Sequence, residues 1–300
     1  MHKIMILAPF NYAAPESLDE AITLLQENKG ARLLAGGQSI LTKMRRHHIS
    51  PSMLVDLRKI QTLRGIERRS DGVLCVGSMM TFVEIVEDKN IQKNYAVLVE
   101  AAQSTNDAQV RNCRTIGGTM AFNAPGADLP AVILALEATL TLCGPQGTRT
   151  IPATEFNATS MLIERPNDEI ITSVNFPPVT TGSGNAYEKF KNRANDHALC
   201  GIATSVTLTP EGTIRKCLIA VTGATRHATR LSRVETLLHG KQATAATIAA
   251  ASQEAERLNC ISDLAASAEY RASLSRTLTE RSLTRATARA KEIGDNLRPH

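Results

Sequence analysis

Two Gly-Gly pairs constrain the fold of this 300-residue chain more than any other feature. The first lies in Leu34-Ala-Gly-Gly-Gln-Ser-Ile40 and the second in Thr115-Ile-Gly-Gly-Thr119. Because glycine has no side chain, the backbone can turn sharply there and bring its amides close to a ligand. Successive amide N–H groups in such a turn form a concavity that binds anions, and neighbouring hydroxyls add donors. Two such segments in one chain suggest two walls of a single site for a phosphate-bearing cofactor.

Other interpretations of these segments stay open. The first segment has neither the G-x-x-x-x-G-K-[ST] spacing of a Walker loop nor the G-x-G-x-x-G pattern, and a Gly-Gly pair is also common in ordinary tight turns. Arg111 and Arg114, beside the second pair, can meet phosphate or be solvated. Asp128 opens an apolar helix in Asn123-Ala-Pro-Gly-Ala-Asp-Leu-Pro130. Its carboxylate can accept hydrogen bonds from ribose hydroxyls or loop amides, or it can cap the helix.

Composition excludes several functional classes. No window approaches ~18 uninterrupted apolar residues, so we expect no membrane span. The start of the chain turns to Pro9 too early for the apolar region of a secretory signal, which predicts a cytoplasmic protein. Six cysteines occur without a C-x-x-C pair or a Cys/His cluster. We therefore expect no metal site and no iron–sulfur cluster held by this chain.

The net charge of +5 permits polyanion binding but does not require it. The excess of basic residues lies mainly in Lys43-Met-Arg-Arg-His-His48 and in the segment 271–289. Both are typical of solvated helix faces and lack aromatic residues that stack on bases. We therefore expect no nucleic-acid partner.

The hydrophobic pattern predicts a mixed, α+β chain. Ser17-Leu-Asp-Glu20 is a capping box that begins a helix, and Gly30 is expected to end it in a left-handed conformation. Further helices are predicted near 40–46, 81–88, 95–104 and 128–136, and after residue 222. Strands are predicted at 32–35, 53–57, 73–77, 138–143, 169–176, 186–190, 201–209 and 214–222. Pro177 to Gly184 is a candidate linker, so we predict domains at 1–177, with subdomains 1–57 and 58–177, and at 178–300.

Four groups of residues, in order along the chain, carry a resemblance to a known family. They are Pro9-Phe-Asn-Tyr-Ala-Ala-Pro-Glu-Ser-Leu-Asp-Glu-Ala21, Ala35-Gly-Gly-Gln-Ser39, Arg111-Asn-Cys-Arg-Thr-Ile-Gly-Gly-Thr119 with Ala127-Asp-Leu-Pro130, and Tyr187-Glu-Lys-Phe-Lys-Asn-Arg193 with Asp196-His-Ala-Leu-Cys-Gly201. The chain resembles the FAD-binding medium subunit of the molybdenum hydroxylases. This group contains carbon monoxide dehydrogenase and bacterial xanthine, quinoline and nicotinate dehydrogenases.

The resemblance implies a fold and a set of cofactor-binding residues. The fold is a two-subdomain FAD-binding domain of the vanillyl-alcohol-oxidase type, followed by an α+β domain of the carbon monoxide dehydrogenase flavoprotein type. The diphosphate and ribose of FAD are expected to lie against the two Gly-Gly segments, with Asp128 assisting. The residues implied there are Leu34, Ala35, Gly36, Gly37, Gln38, Ser39, Ile40, Thr115, Gly117, Gly118 and Thr119.

Three further residues are implied near the isoalloxazine ring: Ile171, Lys189 and His197. Lys189 can stabilise negative charge on the reduced flavin, and the alternative is a surface ion pair. His197 stands where tyrosine is common in the family, and it can tune the ring or simply be packed or solvated. A pair formed by Arg193 and Asp196 is expected to hold this segment in place.

The resemblance also implies partners and a function. Substrate is hydroxylated at molybdopterin on a large subunit, and electrons pass through two [2Fe–2S] clusters on a small subunit to the FAD of this chain and then to an external acceptor. The assembly implied is a dimer of heterotrimers, and no residue of this chain is expected to be catalytic toward the organic substrate. Two alternatives remain, a stand-alone flavin-dependent oxidase and a non-catalytic nucleotide-binding assembly subunit.

Overall fold

The computed structural model describes residues 7–158, 168–191 and 197–295. Strands and helices both occur throughout these ranges. The strands are β1 (Asn11–Ala13), β2 (Ala31–Leu34), β3 (Met53–Asp56), β4 (Ile66–Arg68), β5 (Leu74–Gly77), β6 (Thr139–Gly144), β7 (Gly147–Pro152), β8 (Ile170–Phe176), β9 (Ser183–Lys191), β10 (Ala198–Leu208), β11 (Ile214–Thr222) and β12 (Thr229–Arg230). The α-helices are α1 (Leu18–Glu27), α2 (Ile40–Arg45), α3 (Phe82–Glu87), α4 (Lys89–Asn94), α5 (Ala96–Gln103), α6 (Ala108–Cys113), α7 (Ile116–Phe122), α8 (Leu129–Ala135), α9 (Ala153–Ala158), α10 (Ser232–Leu238), α11 (Ala245–Ser252) and α12 (Ala268–Asp295). The α+β prediction is confirmed.

The chain divides into two compact units that are not contiguous in sequence. Unit 1 is drawn from residues 1–84, 107–122 and 139–175, and unit 2 from residues 85–106, 123–138 and 176–300. The domain boundaries expected from the sequence, at 57/58 and 177/178, stay predictions. Strand β9 already begins at Ser183, inside the candidate linker.

Unit 1 contains two sheets. A three-stranded sheet has the order β1-β3-β2 with parallel pairing, and a five-stranded sheet has the order β4-β5-β8-β6-β7. Helix α1 packs its buried face, which includes Ala21, Ile22 and Leu25, in one apolar cluster with Val55 and Met79. Burial of such aliphatic side chains is the main force that holds a unit of this kind together.

Helix α1 begins where the sequence predicts, but it does not end in the way that the sequence predicts. The Ser17 hydroxyl accepts a hydrogen bond from the Glu20 amide at 3.2 Å, as a capping box requires. The helix ends at Glu27, and the amide of Asn28 donates to the Leu24 carbonyl at 3.1 Å. Gly30 does not adopt a left-handed conformation, so the prediction that it caps the helix is wrong. A Cβ there would lie 2.5 Å from the Ser52 hydroxyl, which explains the glycine by close packing.

Unit 2 is built on a four-stranded sheet with the order β12-β11-β10-β9 and antiparallel pairing. The long helix α12 packs on this sheet, and the close approach requires a glycine, because a Cβ at Gly184 would lie 2.1 Å from the Ala286 carbonyl oxygen. Arg289 of α12 donates to Glu100 at 2.5 Å and to the Asn185 carbonyl at 2.7 Å. Three strands and the following helices match the sequence prediction, and β12 is additional.

Several short elements escaped sequence analysis, among them β1, β4, β7, α4, α6, α7 and α9. Strand β7 illustrates the reason. Its sequence, Gly147-Thr-Arg-Thr-Ile-Pro152, is mostly exposed and pairs only with β6 at the edge of the sheet, so it has no apolar alternation to reveal it. Over the described ranges, the structure contains no helix with the length and apolar character needed to cross a membrane.

Candidate functional site

Unit 1 contains a cavity of about 440 Å³. This volume falls within the range of about 300–1,000 Å³ that is typical of small-molecule sites. Residues from both Gly-Gly segments line it, together with part of β8. The residues expected from the sequence that line this cavity are Ala35, Gly36, Gly37, Gln38, Ser39, Ile40, Thr115, Gly117, Gly118, Thr119 and Ile171.

The first Gly-Gly pair forms the turn between β2 and α2. Gly37 has a φ of +74°, a left-handed conformation that residues with a Cβ rarely adopt. Gly36 is required for another reason, because a Cβ there would lie 1.9 Å from the carbonyl oxygen of Cys113. The amides of Gly37, Gln38 and Ser39 donate to no acceptor within the described ranges. This turn therefore presents unused donors at the cavity.

The second Gly-Gly pair is not a loop, and in this respect the sequence interpretation was wrong. Gly117 and Gly118 lie in the first turn of α7. Their amides are already engaged: Gly117 donates to the Ser78 carbonyl at 2.8 Å, and Gly118 donates to the Thr115 hydroxyl at 3.1 Å. The Thr119 amide likewise donates to the Thr115 carbonyl at 3.0 Å. The segment supplies a wall of small residues, and its amides do not form an anion-binding concavity.

Cationic side chains predominate among the charged groups of the cavity. Arg32, Lys43 and Arg114 line it, against one acidic side chain, Glu169. The Glu169 carboxylate accepts two hydrogen bonds from the Arg149 guanidinium, at 2.7 and 2.8 Å. The cavity is therefore electrostatically suited to an anion.

Some of these lining residues were not predicted as site residues. Arg114 was considered as a phosphate contact, and it does line the cavity. Lys43 belongs to the basic segment that was interpreted as a solvated face, and Arg32 and Glu169 had no sequence signal. Ser78 also lines the cavity, and its buried hydroxyl has no hydrogen-bond partner in the described ranges. Nothing in the local sequence of Ser78 distinguishes it from an ordinary serine.

Leu34 does not line the cavity with its side chain. Leu34 is 6% exposed and packs in a small core cluster with Met44 and Leu54. The residue directly precedes the first Gly-Gly turn, so its structural contribution is to anchor the end of β2.

Asp128 and Lys189 belong to unit 2, where they form a buried ion pair. The Lys189 ammonium donates to Asp128 Oδ2 at 3.0 Å and to the Ser104 hydroxyl at 3.3 Å. The Tyr187 hydroxyl donates to Asp128 Oδ1 at 2.5 Å. Burial raises the pKa of Tyr187 well above its usual value, and the Asp128 carboxylate raises this pKa further. The phenol is therefore neutral and serves as a hydrogen-bond donor.

This arrangement corrects two alternatives drawn from the sequence. The Lys189 side chain is 6% exposed, so its ion pair is not on the surface. Asp128 does stand at the start of α8, but its side chain makes no capping hydrogen bond because Tyr187 and Lys189 occupy both carboxylate oxygens. His197 is also in unit 2 and is exposed. Arg193 and Asp196 lie outside the described residues. The assignment of Asp128, Lys189 and His197 to FAD stays a prediction.

The N-terminal and C-terminal parts of the chain each match a known protein family. Residues 8–179 match the FAD binding domain in molybdopterin dehydrogenase, and residues 185–286 match the CO dehydrogenase flavoprotein C-terminal domain. The chain belongs to the FAD-binding medium subunits of the molybdenum hydroxylase family. It is thus an oxidoreductase subunit with FAD as its cofactor, and the resemblance found in the sequence is confirmed.

Individual relatives are similar over almost their full length. The chain is 34% identical over 290 residues to the 6-hydroxypseudooxynicotine dehydrogenase complex subunit alpha of Paenarthrobacter nicotinovorans, which covers 96% of this chain and 98% of that protein. It is 35% identical over 288 residues to the carbon monoxide dehydrogenase medium chain of Hydrogenophaga pseudoflava, with 95% and 99% covered. These relatives are named as subunits of larger enzymes.

Solved structures of the family confirm the fold. A carbon monoxide dehydrogenase from Hydrogenophaga pseudoflava, which lacks the Mo-pyranopterin moiety of the molybdenum cofactor, superimposes with a TM-score of 0.90 at 34% identity, covering 95% of this chain and 99% of that one. Quinoline 2-oxidoreductase from Pseudomonas putida 86 gives a TM-score of 0.88 at 30% identity, with the same coverage. The expected pair of domain types, an FAD-binding domain followed by a carbon monoxide dehydrogenase flavoprotein domain, is therefore confirmed.

The cavity of unit 1 has the chemistry that FAD requires. FAD carries a diphosphate, which needs hydrogen-bond donors and positive charge, and ribityl and ribose hydroxyls, which need polar partners. The unused amides of residues 37–39 supply the donors, and Arg32, Lys43 and Arg114 supply the charge. The unpartnered hydroxyl of Ser78 is buried at the same cavity, where a polar ligand group would satisfy it. Within the described ranges, no group of three or more His, Cys, Asp or Glu side chains is placed to hold a metal ion.

Proposed function

We propose that this chain is the electron-transfer subunit of a multi-subunit molybdenum hydroxylase. In this proposal a large subunit oxidises the organic substrate at molybdopterin, and a small subunit carries two [2Fe–2S] clusters. This chain accepts the electrons at its FAD and delivers them to an external acceptor. The complex is a dimer of heterotrimers in the cytoplasm. The names of the relatives support a multi-subunit enzyme, since they include medium chains, a medium subunit and a subunit of a dehydrogenase complex.

The first Gly-Gly turn is the observation that carries the cofactor assignment. Within the described ranges the amides of Gly37, Gln38 and Ser39 have no protein acceptor, and these residues line a cavity with an excess of positive charge. In the proposed site they hold the diphosphate, as successive amides of a glycine turn do for other anions. Bound FAD would supply the chemistry that joins one-electron delivery to two-electron transfer.

Other residues of unit 1 complete the proposed site. Leu34 and Ala35 fix the turn at the end of β2, and Ile40 follows it at the start of α2. Thr115, Gly117, Gly118 and Thr119 form a wall whose small side chains leave space for the cofactor, and Ile171 adds an apolar surface from β8. These residues bind and orient the cofactor and exclude water. We assign no proton transfer to any of them.

The two alternatives have different consequences for the isolated chain. A stand-alone flavin oxidase would bind FAD and oxidise a substrate unaided. A non-catalytic assembly subunit would fold without FAD and would not gain stability from it. The proposed function predicts a third behaviour, in which the chain binds FAD, oxidises no heterocycle alone, and takes electrons from a reduced iron–sulfur partner.

The test uses the full chain purified with its native cofactor. Its visible spectrum and chromatography of the acid-released cofactor establish whether FAD is present. The holoprotein is then mixed anaerobically with a chemically reduced [2Fe–2S] subunit purified from the same complex, and flavin bleaching is followed by stopped flow. Free FAD with the same reduced subunit is the control. Bleaching that is no faster than with free FAD would remove the electron-transfer proposal, and a colourless chain that refuses added FAD would favour the assembly role.

A further inference from the structure

Lys43 lines the same cavity as the first Gly-Gly turn. It lies on α2, and its amide donates to the Ser39 carbonyl at 3.0 Å, so it stands one helical turn after Ser39. Side chains on a helix lean toward its N-terminus, and that direction carries the Lys43 side chain over the turn with the unused amides. The side chain is half-buried and lines the cavity.

Among the described residues, no carboxylate pairs with the positive charge of Lys43. Lys59, in the same unit, pairs with Glu16 at 3.0 Å. Lys43 forms no such salt bridge within the described ranges, and Glu169, which lines the same cavity, is held by two hydrogen bonds from Arg149. A half-buried ammonium without a counter-charge is an electrostatic attraction for an anionic ligand.

The ring of Phe122 holds this ammonium at the cavity. Phe122 is the last residue of α7, and its ring centre lies 4.7 Å from Lys43 Nζ. This distance is within the range of about 6 Å over which the face of an aromatic ring attracts a cation. Phe122 is half-buried and also lines the cavity, so the contact joins the two walls formed by α2 and α7. A flexible lysine side chain is thereby held against a residue that lines the cavity.

We propose that Lys43 provides a counter-charge to the diphosphate of FAD and that Phe122 is a positioning residue for its ammonium. The inference rests on the proposed FAD site of unit 1 and adds to it a cation that no Gly-Gly pattern reveals. The ammonium donates to a phosphate oxygen when the cofactor is bound, and the aromatic face keeps it in place when the site is open. The alternative is that the pair only tethers α2 to α7.

The experiment is a double-mutant cycle on FAD binding by the full-length apoprotein, followed by quenching of FAD fluorescence at low and high salt. Lys43→Met is expected to raise Kd about tenfold, the loss of one hydrogen bond to a charged group. Phe122→Leu is expected to raise Kd about threefold. Phe122→Tyr is expected to keep the Kd of the wild type, because a phenol keeps the aromatic face. Lys29→Met is the matched control, since Lys29 is an exposed lysine of unit 1 that does not line the cavity.

The cycle separates the inference from its alternative. If Phe122 acts through Lys43, then adding Phe122→Leu to Lys43→Met has no further effect on Kd, and both variants lose part of the salt dependence of binding. Equal FAD affinity of Lys43→Met and wild type would overturn the inference, and so would independent effects of the two substitutions. In those cases the FAD site itself stands, because wild type still binds. A wild-type apoprotein that binds no FAD overturns the proposed function and this inference together.

Discussion

The two Gly-Gly pairs of unit 1 line the same cavity and serve different structural purposes. At the first pair the chain turns, Gly37 is left-handed, and three amides have no acceptor in the part of the chain that the structure describes. At the second pair the chain is helical, and the amides of Gly117 and Gly118 are used by Ser78 and Thr115. The first pair presents hydrogen-bond donors to a ligand. The second pair leaves space for the ligand because it has no side chains.

The difference shows that a Gly-Gly pair does not by itself predict one local backbone structure. Glycine inside a helix costs about 1 kcal/mol relative to alanine, so α7 must gain something from it. The gain at Gly117 is close contact, because a Cβ there would lie 2.5 Å from the Ser78 Cβ. At Gly37 the gain is a backbone conformation that alanine resists. Substitutions at these positions can therefore distinguish packing from conformation.

The largest effect is expected for Gly36→Ala, which tests the close contact of the first turn. The new Cβ would lie 1.9 Å from the Cys113 carbonyl oxygen, and backbone cannot move aside as a side chain can. We expect a loss of about 3 kcal/mol in the free energy of unfolding, at the upper end of overpacking effects, together with loss of bound FAD. Urea denaturation and the flavin content of the purified protein measure both. A flavin-replete variant of normal stability would contradict the packing described here.

Gly117→Ala tests the contact of the second pair. Its Cβ would lie 2.5 Å from the Ser78 Cβ and 2.8 Å from the Ser78 carbonyl oxygen. The higher helix propensity of alanine offsets part of the energetic cost of this clash. We therefore expect a net loss of about 2 kcal/mol in the free energy of unfolding. Gly118→Ala is the control in the same helix, since the nearest atom to its Cβ is the Thr115 hydroxyl at 2.8 Å, which can rotate. Similar losses for the two variants would show that helix geometry, and not Ser78, explains the pair.

Gly37→Ala tests the left-handed conformation, and the new Cβ would also lie 2.9 Å from Leu41 Cδ1, the end of a flexible side chain that can move aside. A non-glycine residue at φ +74° is expected to lower the free energy of unfolding by about 1 kcal/mol. The same substitution at Gly147, with φ +102° and open space around its Cβ, is expected to have a similar cost. Only Gly37→Ala should weaken FAD binding, because only its turn carries the unused amides. Thermal unfolding and FAD titration of both variants test this. Equal FAD affinities of the Gly37→Ala and Gly147→Ala variants would mean that the turn amides do not hold the cofactor.

Ser78→Ala is expected to have the smallest effect on stability. The Ser78 hydroxyl is buried without a partner in the described ranges, so its removal should change the free energy of unfolding by less than about 0.5 kcal/mol. If the hydroxyl bonds to FAD, the Kd for FAD should rise about threefold. Fluorescence titration measures this change, with Ser39→Ala as a comparison on the first turn. An unchanged Kd would mean that Ser78 only packs against α7.

Short-range patterns were enough to predict much of the fold. The capping box at Ser17, the turn between β2 and α2, and the three long strands of unit 2 each follow from residues close together in sequence. Tyr187 and Lys189 are two positions apart on β9, so alternation already places them on one side of the strand. Their shared partner, Asp128, could not be predicted because it comes from a distant part of the chain.

The residues alone identified the family, the cofactor and the alternation of strands and helices, because these depend on local periodicity and on ordered motifs. Tertiary structure alone decided which Gly-Gly pair keeps its amides free and which cations face the cavity. The physical reason is that a hydrogen bond or a counter-charge depends on atoms that are remote in sequence. The acceptor of the Gly117 amide is Ser78, the ring beside Lys43 is Phe122, and the oxygen that requires Gly36 belongs to Cys113.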